Sequence, residues 1–212
     1  MDASLATAPR RRGRPPKAER SFDDTRRALL QAGMALLTER GFAATGLDAL
    51  LRGLGVPKGS FYHYFASKEA FGLEVLAAYD AYFCRKLERH LQDTTCDPLA
   101  RIAQFVDDAA AGLARFAYAR GCLVGNLGQE VVTLPALYRA PLVEAFHGWE
   151  QRLQQCLHDA QAAGQLRADA DCATLARYFW MGWEGAVLRA RLERSGEPLA
   201  VFLACFLAGL PR

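Results

Sequence analysis

The stretch Val56-Pro57-Lys58-Gly59-Ser60-Phe61-Tyr62-His63-Tyr64-Phe65 decides the prediction of the fold. Pro57 suits the first turn of a helix that ends near Phe65, and the run Gly53-Leu54-Gly55-Val56 suits a tight turn before it. Further upstream, leucines recur at helical spacing until Gly41, and Thr45 is placed to cap a second helix. Three short helices within about 45 residues, the last two joined by a tight turn, are typical of a helix-turn-helix.

The side chains of this third helix separate into an apolar and a polar set. Phe61 and Phe65 are expected to face the core, as aromatic residues at helical spacing usually do. The polar set suits contact with DNA, because lysine neutralises phosphates while hydroxyl and imidazole groups reach phosphates or base edges. Helix N-termini carry partial positive charge, which adds phosphate sites where the second and fourth helices begin. The predicted DNA-contacting residues are Thr45, Lys58, Gly59, Ser60, Tyr62, His63 and Lys68.

The positive charge of the chain is concentrated at its N-terminal end. Residues 1–68 hold 12 Lys and Arg against 6 Asp and Glu, whereas the remaining residues hold 14 against 17. Binding of a polyanion needs clustered positive charge. The asymmetry therefore favours a nucleic-acid partner for the N-terminal part and another task for the rest of the chain.

Residues 1–20 are predicted to form a disordered basic arm, because they are rich in Ala, Pro, Arg and Gly and lack apolar periodicity. The run Arg10-Arg11-Arg12-Gly13-Arg14-Pro15 resembles an AT-hook, a segment that lies in the narrow minor groove of A·T-rich DNA. Arg12 and Arg14 are the predicted groove contacts. A solvated tail with only generic charge attraction explains the same composition, and the sequence leaves both interpretations open.

Residues around the third helix resemble the signature of the TetR family of transcription repressors. The matching positions are Gly41-Phe42, Thr45, residues 56–65 and Ser67-Lys68-Glu69. The resemblance implies a helix-turn-helix DNA-binding domain over residues 21–67 and a ligand-sensing and dimerisation domain over residues 68–212. It also implies a homodimer that binds double-stranded, palindromic operator DNA and releases it on induction. The expected partners are therefore operator DNA, a second copy of the chain and a small-molecule or electrophilic inducer.

The rest of the chain shows helical periodicity and no sustained alternation of the β type, which predicts an all-α fold. Ser67 is expected to cap a long fourth helix that reaches Leu91. Later helices are predicted over residues 98–119, 125–132, 135–163, 169–194 and 198–208.

The helix predicted over residues 169–194 is apolar on more than one face, which exceeds what a helix of a monomer requires. Together with the last helix it is the expected dimer interface, an assignment that the resemblance also implies. The interface candidates are Trp180, Val187, Phe202 and Phe206, although ordinary core packing explains each of them as well.

The segment from Arg120 to Glu130 is distinctive because glycines interrupt a helical chain. It resembles a branch of the TetR family that responds to reactive electrophiles or small unsaturated acids such as acrylate, and the sensing cysteine of that branch falls on Cys122. A thiol near a helix start and beside Arg120 is expected to have a lowered pKa and to react as a thiolate. The alternative is a small buried hydrophobic residue, the commonest state of a free cysteine.

A noncovalent ligand site is a second hypothesis for sensing. Sensor domains of the TetR type enclose a pocket among their middle helices, and tryptophan and tyrosine offer apolar bodies with polar groups. The candidates, each also compatible with core packing, are Tyr118, Asn126, Trp149, Tyr178, Trp183 and Glu184, besides Cys122.

Several other classes of protein are not favoured. The six cysteines are scattered without a CxxC pair, so no metal site, disulfide framework or cofactor is predicted. No apolar run is long enough to span a bilayer and no signal-peptide core follows the N-terminus, so a cytoplasmic protein without a membrane partner is expected. The competing functions are a small α-helical enzyme with a cysteine nucleophile, which no catalytic motif supports, and a DNA-binding protein without a ligand.

Overall fold

A computed structural model describes residues 21–212, and within this range the chain contains helices and no strand. The predicted all-α fold is thereby confirmed. The basic arm, with Arg12 and Arg14, lies outside the described residues. The helices are α1 (Phe22–Arg40), α2 (Leu47–Leu54), α3 (Lys58–Phe61), α4 (Lys68–Leu91), α5 (Pro98–Arg115), α6 (Leu123–Gln129), α7 (Arg139–Ala162), α8 (Cys172–Glu193) and α9 (Glu197–Ala208), with a 3₁₀ turn (Ala136–Tyr138) before α7.

Two of the long helices begin at serine N-caps, of which the sequence predicts the one at Ser67. The Ser21 hydroxyl accepts a hydrogen bond from the Asp24 amide (3.1 Å), and the Ser67 hydroxyl accepts one from the Ala70 amide (3.1 Å). Each bond satisfies one of the amides that the first turn of a helix leaves free. α4 then runs to Leu91, as predicted.

The turn between α2 and α3 depends on a glycine. Gly55 has a φ of 65°, in the left-handed region that glycine adopts without strain, and its amide bonds back to the last turn of α2. α3 is shorter than predicted, because it ends at Phe61 and not near Phe65. Residues 62–64 continue as a turn, in which the His63 amide donates to the Ser60 carbonyl (3.2 Å).

The prediction that Thr45 caps α2 is wrong. The N-cap residue is Gly46, and no side chain caps the helix. Thr45 is buried, and its hydroxyl donates to the Gly41 carbonyl (2.6 Å), which ties together the loop between α1 and α2. The side chain of Thr45 is therefore withdrawn from the DNA-contacting set.

α4 joins the N-terminal helices to the rest of the molecule. Near its start, Phe71 packs against Phe61 and Phe65, with ring centroids 5.5 and 4.9 Å apart. Near its middle, Phe83 packs against Trp149 of α7 at 4.4 Å. A helix of 24 residues is about 36 Å long, so α4 packs against the N-terminal helices at one end and against α7 further along.

α8 packs against α7 and α9, and these neighbours cover one part of its apolar surface. Trp180 is 2% exposed, with its ring centroid 5.2 Å from that of Trp149, and Val187 and Phe206 are buried as well. The prediction that these three residues form the dimer interface is wrong, because neighbouring helices of the same chain already cover them. Phe202 is half-buried against Phe179.

The remaining helix bounds differ from the prediction mainly around the α5–α6 connection. α5 ends at Arg115 and not at residue 119, since Ala117 and Tyr118 take positive φ angles of 49° and 59°. This turn lets the Gly121 amide donate to the Thr38 carbonyl of α1 (3.0 Å). α6 then begins at Leu123, before the predicted residue 125.

Candidate DNA interface and sensor cavity

α3 and the turn after it present a mixed polar surface. Lys58, Gly59, Tyr62 and His63 are exposed, and Ser60 is half-buried. Phe61 and Phe65 are buried, as the sequence predicts. The outward groups offer a cation, hydroxyls and an imidazole, which are the groups that bind phosphates and base edges.

The two lysines predicted to contact DNA differ in how firmly their ammonium groups are already bound within the protein. Lys58 makes an exposed ion pair with Asp48 (3.2 Å), and such a surface pair costs little to exchange for a phosphate. Lys68 donates to the Phe42 carbonyl (3.0 Å) and lies over the Phe42 ring at 4.3 Å. Its ammonium therefore holds the loop after α1, and the start of α4 offers mainly backbone amides to a phosphate.

A cavity of about 330 Å³ lies between α1, α4, α5, α8 and the segment before α6. Its wall is mostly apolar, and two cations reach it, each already paired. Lys86 pairs with Asp108 (2.9 Å), and Arg120 pairs with Glu39 (3.1 Å). The lining includes Met34, Thr38, Tyr79, Phe83, Cys122 and Trp183.

Among the predicted sensing residues, Cys122 and Trp183 line this cavity, whereas the other five do not. Tyr178 is exposed on α8, which contradicts its assignment to a pocket. Trp149 is fully buried and donates to Asp80 (2.7 Å), so it belongs to the core. Tyr118 occupies the left-handed turn after α5, and Asn126 holds the end of α1. Glu184 lies next to Cys122, outside the lining.

The sequence did not predict that residues of α1 and α4 line the cavity. Met34 and Thr38 of α1, and Tyr79 and Phe83 of α4, face the cavity from the apolar stripes of their helices. Helical periodicity identifies such stripes without distinguishing a packed position from one that borders a void, so no local signal could have separated them.

Cys122 occupies the start of α6, as predicted, but its acidity is opposite to the expectation. Its sulfur accepts a hydrogen bond from the Gly125 amide (3.4 Å). Burial, and then the neighbouring Glu184 carboxyl, raise the pKa of the thiol well above its usual range. Arg120 does not oppose this shift, because its guanidinium is bonded to Glu39 and lies 3.8 Å from the Phe116 ring centroid. The predicted lowered pKa is therefore wrong.

Glu184 is a shielded carboxyl group on α8. Burial raises its pKa to about 7, and the nearby Cys122 thiol offsets part of this rise. Its Oε1 has no hydrogen-bond partner among the described residues. A side chain at Gly125 would meet the carboxyl group, so glycine at this position leaves room for Glu184 beside Cys122.

The loop between α1 and α2 is held by α6 through Glu130. The Glu130 carboxylate accepts hydrogen bonds from the amides of Phe42 (3.0 Å) and Ala43 (2.8 Å). These bonds satisfy amides directly after the end of α1 with a charged acceptor, which makes them strong.

The C-terminus of α1 is held by two further side chains. Asn126 donates to the Thr38 carbonyl (2.9 Å), and Arg191 of α8 donates to Asn126 (3.0 Å) and to the Glu39 carbonyl (2.9 Å). We call the set Asn126, Glu130 and Arg191 the α6 clamp. It connects the cavity wall, through α6, to the N-terminal helices.

Two further features are excluded within residues 21–212. No group of three or more His, Cys, Asp or Glu side chains is placed to hold a metal ion there. In the same range, no helix combines the length and the apolar character needed to cross a membrane.

Comparisons with known proteins agree with this architecture. The family model described as "Bacterial regulatory proteins, tetR family" matches residues 29–75, and the model described as "Tetracyclin repressor-like, C-terminal domain" matches residues 98–206. The chain is 47% identical to the transcriptional regulator AcuR of Cereibacter sphaeroides over 196 residues, which are 92% of this chain and 89% of that protein. It is 35% identical to the transcriptional repressor NemR of Escherichia coli over 181 residues, which are 85% of this chain and 91% of NemR.

A solved structure shows the same fold. The crystal structure of a regulatory protein TetR from Rhodobacter sphaeroides superposes with a TM-score of 0.85 at 47% identity, covering 87% of this chain and 97% of that one. The named relatives are transcriptional regulators and not enzymes, which confirms the predicted class over the cysteine-dependent enzyme. The chain therefore belongs to the TetR family of transcriptional regulators, and AcuR and NemR are among its relatives.

Proposed function

We propose that the chain is a repressor that binds a palindromic operator as a homodimer and releases it when a small molecule or electrophile enters the cavity. The observation that carries this proposal is the composition of the cavity wall. Met34 and Thr38 belong to α1, which packs in the DNA-binding unit, and they share the wall with residues of α4, α5 and α8. An occupant therefore contacts both parts of the molecule and shifts the balance between binding and released forms.

The proposed DNA contacts are the exposed groups of α3 and the turn after it, with phosphate contacts to the backbone at the start of α4. The residues are Lys58, Gly59, Ser60, Tyr62 and His63, and the arm residues Arg12 and Arg14 remain proposed as minor-groove contacts.

Tyr62→Ala and His63→Ala are each expected to weaken operator binding by about 5- to 150-fold, the equivalent of about 1–3 kcal/mol for a base contact. Both side chains are exposed, so the variants should fold normally. The measurement is fluorescence anisotropy at fixed salt on an operator selected from random DNA, because affinity depends strongly on salt. His147→Ala, at an exposed position of α7, is the matched control. Affinities of both variants equal to that of the control would refute the assignment.

The proposed dimer forms through the outward face of α8 and the neighbouring surface of α9. The exposed apolar side chains Tyr178, Met181, Leu188 and Leu192 are spaced by three, seven and four residues, so they form one stripe on α8. Val201 extends the stripe on α9. A contiguous exposed apolar surface of this kind favours a partner. These residues replace Trp180, Val187 and Phe206 in the proposed interface.

The proposed response to electrophiles uses Cys122. Its thiol lines the cavity, and the TetR branch that the segment from Arg120 to Glu130 resembles senses at this position. An apolar cavity suits a small uncharged reactant with an α,β-unsaturated carbonyl group, to which a thiol adds.

Cys122→Ser is expected to abolish release by methyl vinyl ketone. The ketone should lower the operator affinity of the parent by about tenfold or more, within the usual range of allosteric coupling, and leave the variant unchanged. Cys96→Ser, between α4 and α5, is the control and should respond as the parent does. Butan-2-one lacks the reactive double bond, so release by butan-2-one would favour the noncovalent site. Full response of Cys122→Ser to methyl vinyl ketone would show that covalent sensing lies elsewhere.

A further inference from the structure

Three groups that the contacts described so far leave unused lie in the cavity wall or next to it. The thiol of Cys122 and the ring of Trp183 belong to the cavity wall, and the carboxyl group of Glu184 lies next to the thiol. Trp183 is 3% exposed, yet its indole N–H has no hydrogen-bond partner among the described residues, and the same holds for Glu184 Oε1. Buried polar groups are nearly always paired, so an unpaired carboxyl oxygen next to the thiol and an unpaired indole N–H on the same cavity wall indicate a site that a reactant completes.

Because the Cys122 thiol is weakly acidic, it needs a neighbouring base to accept its proton when it reacts. Burial and the adjacent carboxyl group raise the pKa of the thiol, so very little thiolate exists at neutral pH. The thiolate is the reactive form, and the nearby Arg120 is committed to Glu39. A buried thiol of this kind reacts quickly only if a base accepts its proton while the new bond forms.

We propose that Glu184 is the general base that accepts the thiol proton of Cys122 as the sulfur adds to an α,β-unsaturated carbonyl compound. The bond from sulfur to the β-carbon forms, and the carbon–carbon π bond breaks to leave an enolate. The Trp183 N–H is the donor available to the enolate oxygen. A water molecule gives the α-carbon its proton, and the proton held by Glu184 neutralises the resulting hydroxide. The net change is addition of S–H across the double bond, with no oxidant. This assignment rests on the proposed covalent response.

The titration of Glu184 gives the step a distinct pH dependence. Its pKa is about 7, so the carboxylate fraction rises with pH through neutrality and then levels off. The titratable groups that face it are the Cys122 thiol and the Tyr79 hydroxyl of α4, and burial raises the pKa of both. Neither of these groups ionises near neutral pH, which leaves Glu184 as the source of an inflection there.

The test measures the rate at which methyl vinyl ketone modifies Cys122 in the full-length protein, read by mass spectrometry of peptides. At pH 7.5, Glu184→Gln is expected to slow this reaction at least about tenfold, below the usual range of about 10²–10⁴ for general-base catalysis. Glu184→Asp should recover part of the rate. Trp183→Phe, which removes only the N–H donor and part of the ring, should slow the reaction by a smaller factor. Modification of Cys96 is the internal control and should be equal in all variants.

Each outcome decides between the two proposals. Equal rates in the parent and Glu184→Gln would overturn the role of Glu184 while leaving covalent sensing intact. No adduct on Cys122 in the parent would overturn both. The parent alone supplies a further test that needs no variant: its rate should rise with pH and level off above about 7, whereas a rate that climbs steadily through pH 9 would overturn the assignment.

Discussion

Replacing Trp180 with alanine is expected to lower the free energy of unfolding by about 3–5 kcal/mol, the usual cost of truncating a large buried aromatic side chain. The Trp180 ring centroid lies 5.2 Å from that of Trp149, 5.9 Å from Phe83 and 6.1 Å from Phe105. Three helices therefore meet on one ring, and its removal leaves a cavity that close-packed neighbours fill only in part. The indole N–H of Trp180 has no hydrogen-bond partner among the described residues. The substitution therefore breaks no hydrogen bond, and the loss of stability comes from lost packing contacts.

The measurement is denaturant unfolding at several protein concentrations, since the stability of a dimer depends on concentration. Met181→Ala is the matched control, because Met181 is adjacent in the chain and 66% exposed. Trp180→Ala should reduce stability at every concentration, whereas Met181→Ala should act mainly on the monomer–dimer balance. A Trp180→Ala variant that no longer dimerises but keeps the stability of each subunit would instead support the prediction that Trp180 lies in the dimer interface.

The contrast between these two residues shows where sequence reasoning about the fold succeeds and where it stops. The helix start at Ser67 is set locally, because a cap and the amide that it binds lie three residues apart. Which apolar face of α8 is internal is not local, since α7 and α9 decide it through packing. The sequence shows that α8 carries a surplus of apolar residues, but only the packing shows that Trp180 is buried and that its neighbour Met181 is 66% exposed.

The candidate site divides in the same way. The position of Cys122 at the start of α6 follows from the glycine-rich segment around it. Its acidity does not, because Glu184 comes from another helix and Arg120, its chain neighbour, turns to Glu39 instead. Adjacency in sequence predicted the wrong charge for the thiol, and only the fold brings the acidic group beside it.

Glu130→Gln is expected to uncouple the cavity from DNA binding. Glu130 stands at the far end of the helix that begins beside Cys122, and its carboxylate holds the amides of Phe42 and Ala43 in the loop that leads to α2. A glutamine oxygen carries no charge, and its amide group repels a neighbouring N–H donor, so the charge-assisted pair is lost. A movement of α6 should then displace the loop between α1 and α2 less than it does in the parent protein. We expect the operator affinity ratio between unmodified and methyl vinyl ketone-modified protein to fall by about fivefold or more, since coupling of about 1–3 kcal/mol passes through such contacts.

The decisive quantity is this ratio and not the affinity itself, because a variant that merely destabilises α3 weakens operator binding of both forms equally and leaves the ratio unchanged. Operator binding is measured before and after modification, with the extent of reaction at Cys122 checked by mass spectrometry. Glu144→Gln, an exposed carboxylate on α7, removes the same charge away from the clamp and should preserve the parental ratio. If Glu130→Gln also preserves it, the coupling must run directly from the cavity wall through Met34 and Thr38 of α1, which the occupant touches, and α6 would be only a support.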